Sequence, residues 1–470
     1  MIRPWYFAIE LDKENKQIPL YKQIAQKIQA QIMSGGLKPG DALPGSRVLA
    51  TELGVSRKSV VNAMDLLILS GWLVNKERSG LYVAIPVFHD DKQVIRAEEV
   101  EDIKPSSLIL RVDDGAPDTR IAPVNELARA YRRLLRMKGR HNVLGYNDPN
   151  GIFRFRRAVS IMLNHERGMR TRTEEIFITR GSQMGLYLVA HALLRPDDCL
   201  IMEQPCYEKA YEVFLQAGIK VIPIDVDENG IIVNDMLPHL FENVKAVYLT
   251  PRHQYPTMVE LSTERRRQLV ELAMSYHLLM IEDDYDCDFS FRPTPIMPLS
   301  AMLPSDLYVY IGTFSKIIAP AIRVGYIATS EANVSALGNL RRIIDIQGDM
   351  VMEAAILELI EDGVIHRHIN KSTKYYKQKR MYFIELLERH LIDYATFSIP
   401  QGGLALWIIP LQPISPDQLL DTLEKHHLSI PVFCDSCGRT GMRIGYASLS
   451  EEELEKLVKE LGMIFSTLLH

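Results

Sequence analysis

The fold is decided by YIGTFSKIIAPAIRVGYI at residues 310–327, together with the shorter IEDDYD at residues 281–286. In both stretches a short apolar run is followed by polar residues, among them Lys316 in the first and Asp283 in the second. Apolar runs of this length are typical of strands that are buried on both faces. The two stretches therefore predict two buried strands with functional side chains at their ends.

Similar apolar runs alternate with helical patterns along most of the chain. They occur at residues 176–179, 199–203, 221–224, 246–250, 278–283 and 307–312, with helical patterns between most of them, for example at 183–194 and 263–277. This alternation predicts an α/β domain with a largely parallel sheet covered by helices. From residue 375 onward, helices and a strand at 404–410 predict a smaller C-terminal subdomain.

Length and composition limit the class of protein. A chain of 470 residues is too long for one hydrophobic core, so two or three domains are expected. No apolar run approaches the ~20 residues of a membrane span, and the N-terminus does not have the pattern of a signal peptide. Five cysteines make no disulfide framework, so we expect a cytoplasmic protein without a membrane partner.

Charge separates a basic N-terminal part from an acidic remainder. Residues 16–84 contain nine Lys or Arg and four Asp or Glu, whereas the rest contains 45 and 55. This balance suits a domain that faces phosphates, although a solvated basic face would give the same count. Residues 86–107 are polar, lack periodicity and are typical of a linker. We therefore expect a domain at 1–85, a linker at 86–107 and a second domain at 108–470.

The N-terminal part has the pattern of a winged helix-turn-helix. Apolar residues at four-residue spacing predict a helix over residues 19–34. Ser46 and Ser56 are placed to cap two further helices, the second of which ends at Gly71. Residues 72–75 and 80–85 have the pattern of two short strands. Three helices followed by a hairpin predict a small α+β winged helix-turn-helix domain.

The helix after Ser56 is the candidate recognition helix. Its first turn offers hydroxyls and N–H groups for phosphates, and Arg57 can donate two hydrogen bonds to a guanine edge. Arg47 can reach the same groove, and Lys76 and Arg78 stand at the expected hairpin tip. A helical subdomain with solvated basic residues would present a similar face. The residues alone leave both interpretations open.

A longer motif narrows this choice. LPxSRxLAxxLGVSRxxV followed by LxxxGWL at residues 43–73 closely resembles the N-terminal domain of GntR-type regulators, and the resemblance covers about residues 17–84. It implies a double-stranded DNA operator as partner, contacted by Ser46, Arg47, Ser56, Arg57, Lys58 and Ser59. The wing departs from the family, since Arg78-Ser79-Gly80 stands where Gly-Ser-Gly is usual.

The second part contains, in a fixed order, the groups that pyridoxal 5'-phosphate (PLP) needs. PLP requires an amine for its aldehyde, a carboxylate for its pyridine nitrogen and donors for its phosphate. Lys316 supplies the amine, Asp283 the carboxylate and Arg323 a bidentate donor. Ser182 and Gln183 open a helix whose N–H groups suit an anion. Each group is commonplace alone, but the ordered set is not.

This set resembles fold-type I aminotransferases, and with the N-terminal domain it resembles the MocR/GabR-type regulators over nearly the whole chain. The motifs are GSQ, Tyr207, HQYPT, EDDYD and TFSK with an arginine seven residues later. The resemblance implies a PLP-dependent transferase fold in which Lys316 forms the Schiff base with PLP and Asp283 holds the pyridine nitrogen. The further cofactor-binding residues that it implies are Tyr285, Tyr207, Ser182, Gln183, Thr313, Ser315, Arg323, Gln254 and Tyr146.

Effector and partner residues follow from the same resemblance. Arg443 in GMRIGYA is implied to bind an effector carboxylate, and Lys209 stands where some relatives use an arginine for this. Tyr146 in GYNDPNG matches a segment that approaches the partner subunit's cofactor, so a homodimer is implied. Two residues depart from the family, Met258 and Asn147, each standing where a glycine is usual.

No metal site is expected. Cys434 and Cys437 have the spacing of half a zinc site, but no second pair accompanies them, so an incidental loop is the favoured interpretation. The sequence thus predicts a PLP-dependent DNA-binding regulator that senses a small amine or amino acid, or PLP itself. A true aminotransferase with an accessory DNA-binding domain is the alternative. A DNA-binding protein with a degenerate, cofactor-free pocket is the third hypothesis.

Overall fold

The computed structural model of the chain divides into two compact units, Met1–Lys104 and Pro105–His470. It describes residues 11–12, 18–76, 80–84, 109–137, 141–294, 296–435 and 438–468. The predicted linker, Arg78 at the wing tip and Cys437 lie outside the described residues, and so does the side chain of Lys76. No helix in these ranges is both long and apolar enough to span a membrane.

The first unit is a winged helix-turn-helix, as predicted. Its elements are α1 (Leu20–Met33), α2 (Ser46–Leu53), α3 (Arg57–Leu69), β1 (Leu73–Lys76) and β2 (Gly80–Val83). The two strands pair antiparallel, and the apolar faces of the helices pack around Ile28, Leu49 and Val60, all fully buried. Gly54 ends α2 at φ +58°, a left-handed conformation that glycine adopts without strain, and so sets the turn between α2 and α3.

One predicted helix cap is correct and the other is wrong. The Ser56 hydroxyl accepts a hydrogen bond from the Ser59 N–H at 3.1 Å and caps α3. Ser46, in contrast, is the first residue inside α2, and Gly45 occupies the cap position without a side-chain hydrogen bond. The Ser46 hydroxyl instead accepts from Nε of Arg57 at 3.4 Å, which joins the starts of α2 and α3.

The second unit contains strands and helices in alternation over most of its length. In chain order they are β3 (Leu110–Arg111), α4 (Val124–Arg136), α5 (His141–Leu144), α6 (Phe153–Arg167), β4 (Ile176–Thr179), α7 (Gly181–Leu193), β5 (Cys199–Gln204), α8 (Glu208–Gln216), β6 (Lys220–Asp227), β7 (Gly230–Ile231), α9 (Val233–Met236), β8 (Val244–Leu249), α10 (Thr263–Tyr276), β9 (Leu279–Asp283), β10 (Tyr308–Thr313), β11 (Gly325–Ala328), α11 (Glu331–Ile344), α12 (Met350–Glu361), α13 (Val364–Leu391), β12 (Ala395–Phe397), β13 (Ala405–Pro410), α14 (Pro416–Lys425), β14 (Leu428–Ser429), β15 (Val432–Cys434), β16 (Thr440–Gly445) and α15 (Glu451–Leu468).

A mixed sheet of eight strands organises this unit, in the order β4-β11-β10-β9-β8-β5-β6-β7. The central strands β10, β9, β8, β5 and β6 pair parallel, whereas β11 and β7 run antiparallel to their neighbours. Two separate apolar clusters cover its faces, and every residue of β4, β10 and β11 is buried. The α/β fold and the predicted burial of β4, β10 and β11 are thereby confirmed, whereas β6 is only partly buried, against the prediction for residues 221–224.

The C-terminal part is a smaller layer of its own. The antiparallel sheet β12-β13-β16-β15 packs with α13 and α15 around a third apolar cluster. β16 carries Arg443 at the middle of this sheet, and Arg443 is only 1% exposed. The predicted C-terminal subdomain therefore places one strongly basic side chain in a buried position.

Candidate cofactor and effector site

A cavity of about 210 Å³ lies where the central strands of the large sheet end. In register, Ile311 of β10 lies opposite Asp283, the last residue of β9, so the residues after both strands meet at one edge. The residues that line the cavity are Asp114, Ser182, Tyr207, Tyr248, Thr250, Tyr255, Asp283, Tyr285, Thr313, Ser315, Lys316, Pro320, Arg323 and Arg443. Nine of the residues predicted from the motifs for cofactor or effector are therefore brought together.

Lys316 follows β10 and points into this cavity. Its Nζ donates to the Gly115 carbonyl at 2.8 Å. Burial lowers the pKa of Lys316, and the charges of Asp114 and Asp286 offset that effect only in part. A larger fraction of neutral amine makes the side chain a better nucleophile toward an aldehyde.

Asp283 is buried at the end of β9 beside Tyr248. The Tyr248 hydroxyl donates to Oδ2 of Asp283 at 3.0 Å, whereas Oδ1 is buried without a hydrogen-bond partner among the described residues. Burial raises the pKa of Asp283 to about 7, against the opposing hydrogen bond from Tyr248. A cationic ring nitrogen would supply the counter-charge and the donor that this carboxylate lacks.

Anion-binding groups gather around the N-terminus of α7. Ser182 lies in its first turn, and the buried hydroxyl of Ser315 has no partner among the described residues. Gly181 has φ +77°, and a Cβ at this position would lie 2.6 Å from the Arg323 guanidinium. Only glycine lets the guanidinium lie this close to the helix terminus. The dipole of α7 and the N–H groups at its N-terminus favour the binding of a phosphate at this point.

Arg443 is held by four hydrogen bonds from its guanidinium. Nε donates to the Asp114 carbonyl at 2.6 Å, and Nη2 donates to the Tyr285 hydroxyl at 3.0 Å. Nη1 donates both to the Pro256 carbonyl at 3.1 Å and to Sδ of Met258 at 2.9 Å. The guanidinium also lies over the Tyr255 ring, 4.6 Å from its centroid.

Four residues of the predicted set do not line this cavity. Gln183 donates to the Lys209 carbonyl, and Gln254 is buried and donates to the Pro205 and Tyr255 carbonyls. The Lys209 side chain is 57% exposed and forms an ion pair with Glu212 at 3.0 Å. Tyr146 is 85% exposed.

Five further cavity residues were not assigned a role from the sequence, namely Asp114, Tyr248, Thr250, Tyr255 and Pro320. Asp114 accepts a hydrogen bond from the Tyr255 hydroxyl at 2.8 Å through Oδ2, and Tyr248 supports Asp283. Burial raises the pKa of Asp114, but Lys316, Arg443 and Tyr255 outweigh it and keep the pKa below its usual value. No recognisable motif surrounds Asp114 or Tyr248. Tyr255 lies inside the HQYPT motif, from which it could have been predicted as a cavity residue.

These groups fit PLP. The Asp283 carboxylate with its unpaired buried oxygen, the half-buried Lys316 and Arg323 beside the N-terminus of α7 match the nitrogen, aldehyde and phosphate of PLP, respectively. All three of these groups line the same cavity. No group of three or more His, Cys, Asp or Glu in the described ranges could hold a metal ion.

The raised pKa of Asp283 predicts a pH dependence of stability for the cofactor-free protein. Because the folded pKa of about 7 exceeds the unfolded value of 3.8, the folded state keeps a proton that the unfolded chain releases. The free energy of unfolding should therefore fall as pH rises from about 4 to about 7, by at most about 4 kcal/mol for this residue. Denaturant titration of the wild type and Asp283→Asn across this window measures it. The variant should depend less steeply on pH, and identical slopes would contradict the prediction.

The first unit presents a separate exposed face at the start of α3. Arg47, Ser56, Arg57 and Lys58 are exposed there, while Ser46 and Ser59 are half-buried. The hydroxyls of the capping Ser56 and of Ser59, in the first turn of α3, lie 2.9 Å apart. Backbone N–H groups and cations at a helix N-terminus suit phosphate oxygens.

Comparison with protein families identifies both units. Residues 111–461 match the family of class I and II aminotransferases, and residues 20–83 match the gntR family of bacterial regulatory proteins. The chain is 25% identical to a probable rhizopine catabolism regulatory protein, MocR, of Rhizobium meliloti, over 97% of this chain and 96% of the relative. It is 28% identical to the pyridoxine biosynthesis transcriptional regulator PdxR of Corynebacterium glutamicum, over 94% of each.

Solved structures resemble the second unit. A kynurenine aminotransferase of Pyrococcus horikoshii, 23% identical, superposes with a TM-score of 0.72 over 82% of this chain and 98% of its own. An archaeal alanine:glyoxylate aminotransferase, 25% identical, has the same TM-score over 77% of this chain and 92% of its own. The aminotransferase fold of the second unit is therefore supported by both the family match and the structural similarity.

Proposed function

The chain belongs to the family of class I and II aminotransferases and is a regulator of the MocR/GabR type, and we propose that it binds an operator through its first unit and senses a small amine or amino acid, or PLP itself, in the cavity of its second unit. The observation that carries this proposal is the presence, in one chain, of a complete PLP-type cavity and an exposed basic helix N-terminus. The protein would act in the cytoplasm. Residues 86–107 would form the linker between a domain at 1–85 and a domain at 108–470.

Each cavity residue has a defined task in this proposal. Lys316 would bind the cofactor covalently, Asp283 would hold a proton on the ring nitrogen, and Tyr207 would cover the ring. Ser182, Thr313, Ser315 and Arg323 would bind the phosphate. When bound, PLP supplies an aldehyde that condenses reversibly with primary amines. Tyr248 orients Asp283, and the surrounding tyrosines exclude water.

Gln183, Gln254 and Lys209 have other tasks in this arrangement. Gln183 and Gln254 would support the cofactor site by fixing the backbone around it, since their amides bond to carbonyl groups. Lys209 would act at the rim, outside the cavity, because its ammonium is paired with Glu212. Tyr146 would reach the partner subunit's cofactor in a homodimer.

An effector can regulate DNA binding only if it binds two conformations with different affinity. The experiment is therefore to measure operator affinity of the PLP-loaded protein by fluorescence anisotropy, with and without a panel of amines and amino acids. A ligand that enters the cavity should change operator affinity by about 5-fold or more. An operator affinity that no ligand changes would contradict the sensing role.

The alternative is a true aminotransferase that carries an accessory DNA-binding domain. The complete cofactor set favours it, because no group needed for PLP chemistry is missing from the cavity. Ketoacid formation in the presence of an amino donor distinguishes the two functions. Rapid multiple turnover without any change in operator binding would establish the enzyme and reject the regulator.

Arg57 is expected to carry a large share of operator recognition. Arg57→Ala should weaken specific DNA binding by about 1–3 kcal/mol, because a bidentate contact to a base is lost. Lys22→Ala is the matched control, since Lys22 is an exposed cation on α1 and is not among the residues predicted to contact DNA. Anisotropy titration of both variants measures the difference, and equal affinities would remove Arg57 from the recognition surface.

A further inference from the structure

A buried pair of a histidine and a carboxylate lies next to the cavity without lining it. Nδ1 of His253 and Oδ1 of Asp286 are 2.7 Å apart, and the two residues are 5% and 2% exposed. An ionised carboxylate only accepts hydrogen bonds, so Nδ1 carries the shared hydrogen. The other carboxylate oxygen, Oδ2, is buried without a hydrogen-bond partner in the described ranges. The pair can therefore act on a ligand only through a neighbouring residue or through its charge.

The chain makes room for this pair at two consecutive glycines before β13. A Cβ at Gly402 would lie 2.9 Å from Cε1 of His253, and a Cβ at Gly403 would lie 2.8 Å from Oδ2 of Asp286. Gly403 also has φ +76°, a left-handed conformation that is unfavourable for a residue with a side chain. The backbone at residues 402–403 therefore packs directly against the pair and holds both side chains in place.

The pair is connected to Tyr285, which lines the cavity. The Tyr285 hydroxyl donates to the His253 carbonyl at 3.0 Å, and the His253 ring bonds to Asp286, which follows Tyr285 in the chain. These contacts form a closed chain of bonds that runs from the Tyr285 backbone back to the Tyr285 hydroxyl. Nη2 of Arg443 donates to the same hydroxyl oxygen at 3.0 Å. Two neighbours thus fix this hydroxyl at the cavity wall.

The charges around Lys316 do not depend on His253. Burial lowers the pKa of Lys316, and nearby charges modify this effect. The charged side chains that act on Lys316 are Asp114, Arg443, Asp286 and Asp113. They come from the segment after β3, from the residues after β9 and from β16. A substitution of His253 leaves all four side chains in place, so it can change the position of the Tyr285 hydroxyl without removing any of these charged groups.

We propose that His253 and Asp286 are positioning residues that hold the Tyr285 hydroxyl beside the lysine-bound cofactor. This inference rests on the proposed binding of PLP to Lys316, with Tyr285 among the residues that contact it. A hydroxyl beside the cofactor stabilises its two protonation states unequally, because it hydrogen-bonds to one of them more strongly. Opening the closed chain of bonds should therefore change the pH at which the absorbance band of the lysine-bound cofactor changes.

The experiment follows this band across pH in the PLP-loaded full chain. Tyr285→Phe should shift the midpoint by about one pH unit or more, and His253→Leu should shift it in the same direction by about half a unit or more. His253→Asn should keep the wild-type midpoint, because its amide can donate in the place of Nδ1. His239→Leu is the matched control, since His239 forms a similar pair with Glu242 at 2.9 Å and does not line the cavity.

The Tyr285→Phe background tests whether His253 acts through the hydroxyl. In this background His253→Leu should cause no further shift, because the group that it positions is already absent. Equal shifts in both backgrounds, no shift in Tyr285→Phe, or an unchanged midpoint in folded His253→Leu would overturn the proposal. A shift in His253→Asn as large as that in His253→Leu would reject the bond to Asp286 as the cause.

Two further measurements separate this inference from a folding defect and from the proposed function. Thermal unfolding verifies the fold of each variant. If His253→Leu does not fold, His253→Gln takes its place, because its amide reaches the position of Nε2 rather than that of Nδ1. A wild type without the absorbance band would reject PLP binding and the inference with it. A wild-type band together with an unchanged midpoint in the His253 variants would reject the positioning role alone.

Discussion

Replacing Lys316 by alanine should abolish covalent retention of PLP and weaken its binding by about 100-fold or more, equivalent to about 2.7 kcal/mol. Lys316 is the lysine that lines the cavity. Its Nζ donates to the neutral carbonyl of Gly115, so the side chain can move without breaking an ion pair. The measurements are the absorbance band of the lysine-bound cofactor and the PLP content after gel filtration. Both should be lost in Lys316→Ala, and the response of operator affinity to amines should be lost with them.

Lys209→Ala is the matched control for this prediction. Lys209 is an exposed lysine in the first turn of α8, and its ion pair with Glu212 lies outside the cavity. This variant should retain PLP and its absorbance band at the wild-type level. If Lys316→Ala kept the absorbance band, or if Lys209→Ala lost it, the assignment of the Schiff base to Lys316 would be contradicted. Basal operator binding should persist in both variants because it belongs to the first unit.

Asp283→Asn should weaken PLP binding by about 2–4 kcal/mol, because the ring nitrogen would lose a buried ionic partner. Tyr248→Phe is a smaller change at the same site. It removes the hydroxyl that donates to Asp283 at 3.0 Å, and a loss of about 1–2 kcal/mol is expected. Equilibrium titration of the cofactor-free proteins with PLP measures both losses. Wild-type affinity in Asp283→Asn would show that the carboxylate is not the partner of the nitrogen.

The folded state of these variants is checked independently. Asp283 and Tyr248 are both buried, so thermal unfolding of each cofactor-free variant separates a binding defect from misfolding. The exposed carboxylate variant Asp306→Asn should bind PLP like the wild type. The order of affinities should be wild type, then Tyr248→Phe, then Asp283→Asn.

Sequence motifs located the cofactor end of the cavity because its residues follow strand ends. Asp283 closes β9 and Lys316 follows β10, and these strands are parallel neighbours in the sheet. Polar residues after adjacent parallel strands necessarily meet at one edge, so local patterns carried the information. The fold class was predictable for the same reason, since burial and alternation are local properties of the chain.

The effector end was less predictable because distant segments build it. Asp114 precedes the large sheet, Met258 lies after β8, and Arg443 comes from the C-terminal sheet. No local pattern connects them, and the consequence of Met258 for Arg443 became visible only as a contact. The direction of the Lys209 side chain was likewise not predictable from the motifs. Lys209 lies two residues from Tyr207, but successive residues of a helix turn by about 100°, and α8 directs its side chain away from the cavity.

The carbonyl groups of Asp114 and Gly115 accept hydrogen bonds from Arg443 and Lys316, respectively. These two peptide groups lie just after β3, at the point where the chain enters the second unit. A ligand that moves Arg443 or Lys316 would therefore release main-chain acceptors, which side-chain substitution leaves unaltered. Alanine scanning of this stretch would overlook the link. Hydrogen–deuterium exchange at the amides around residues 113–116 would detect it directly, because exchange reports the opening of the backbone itself.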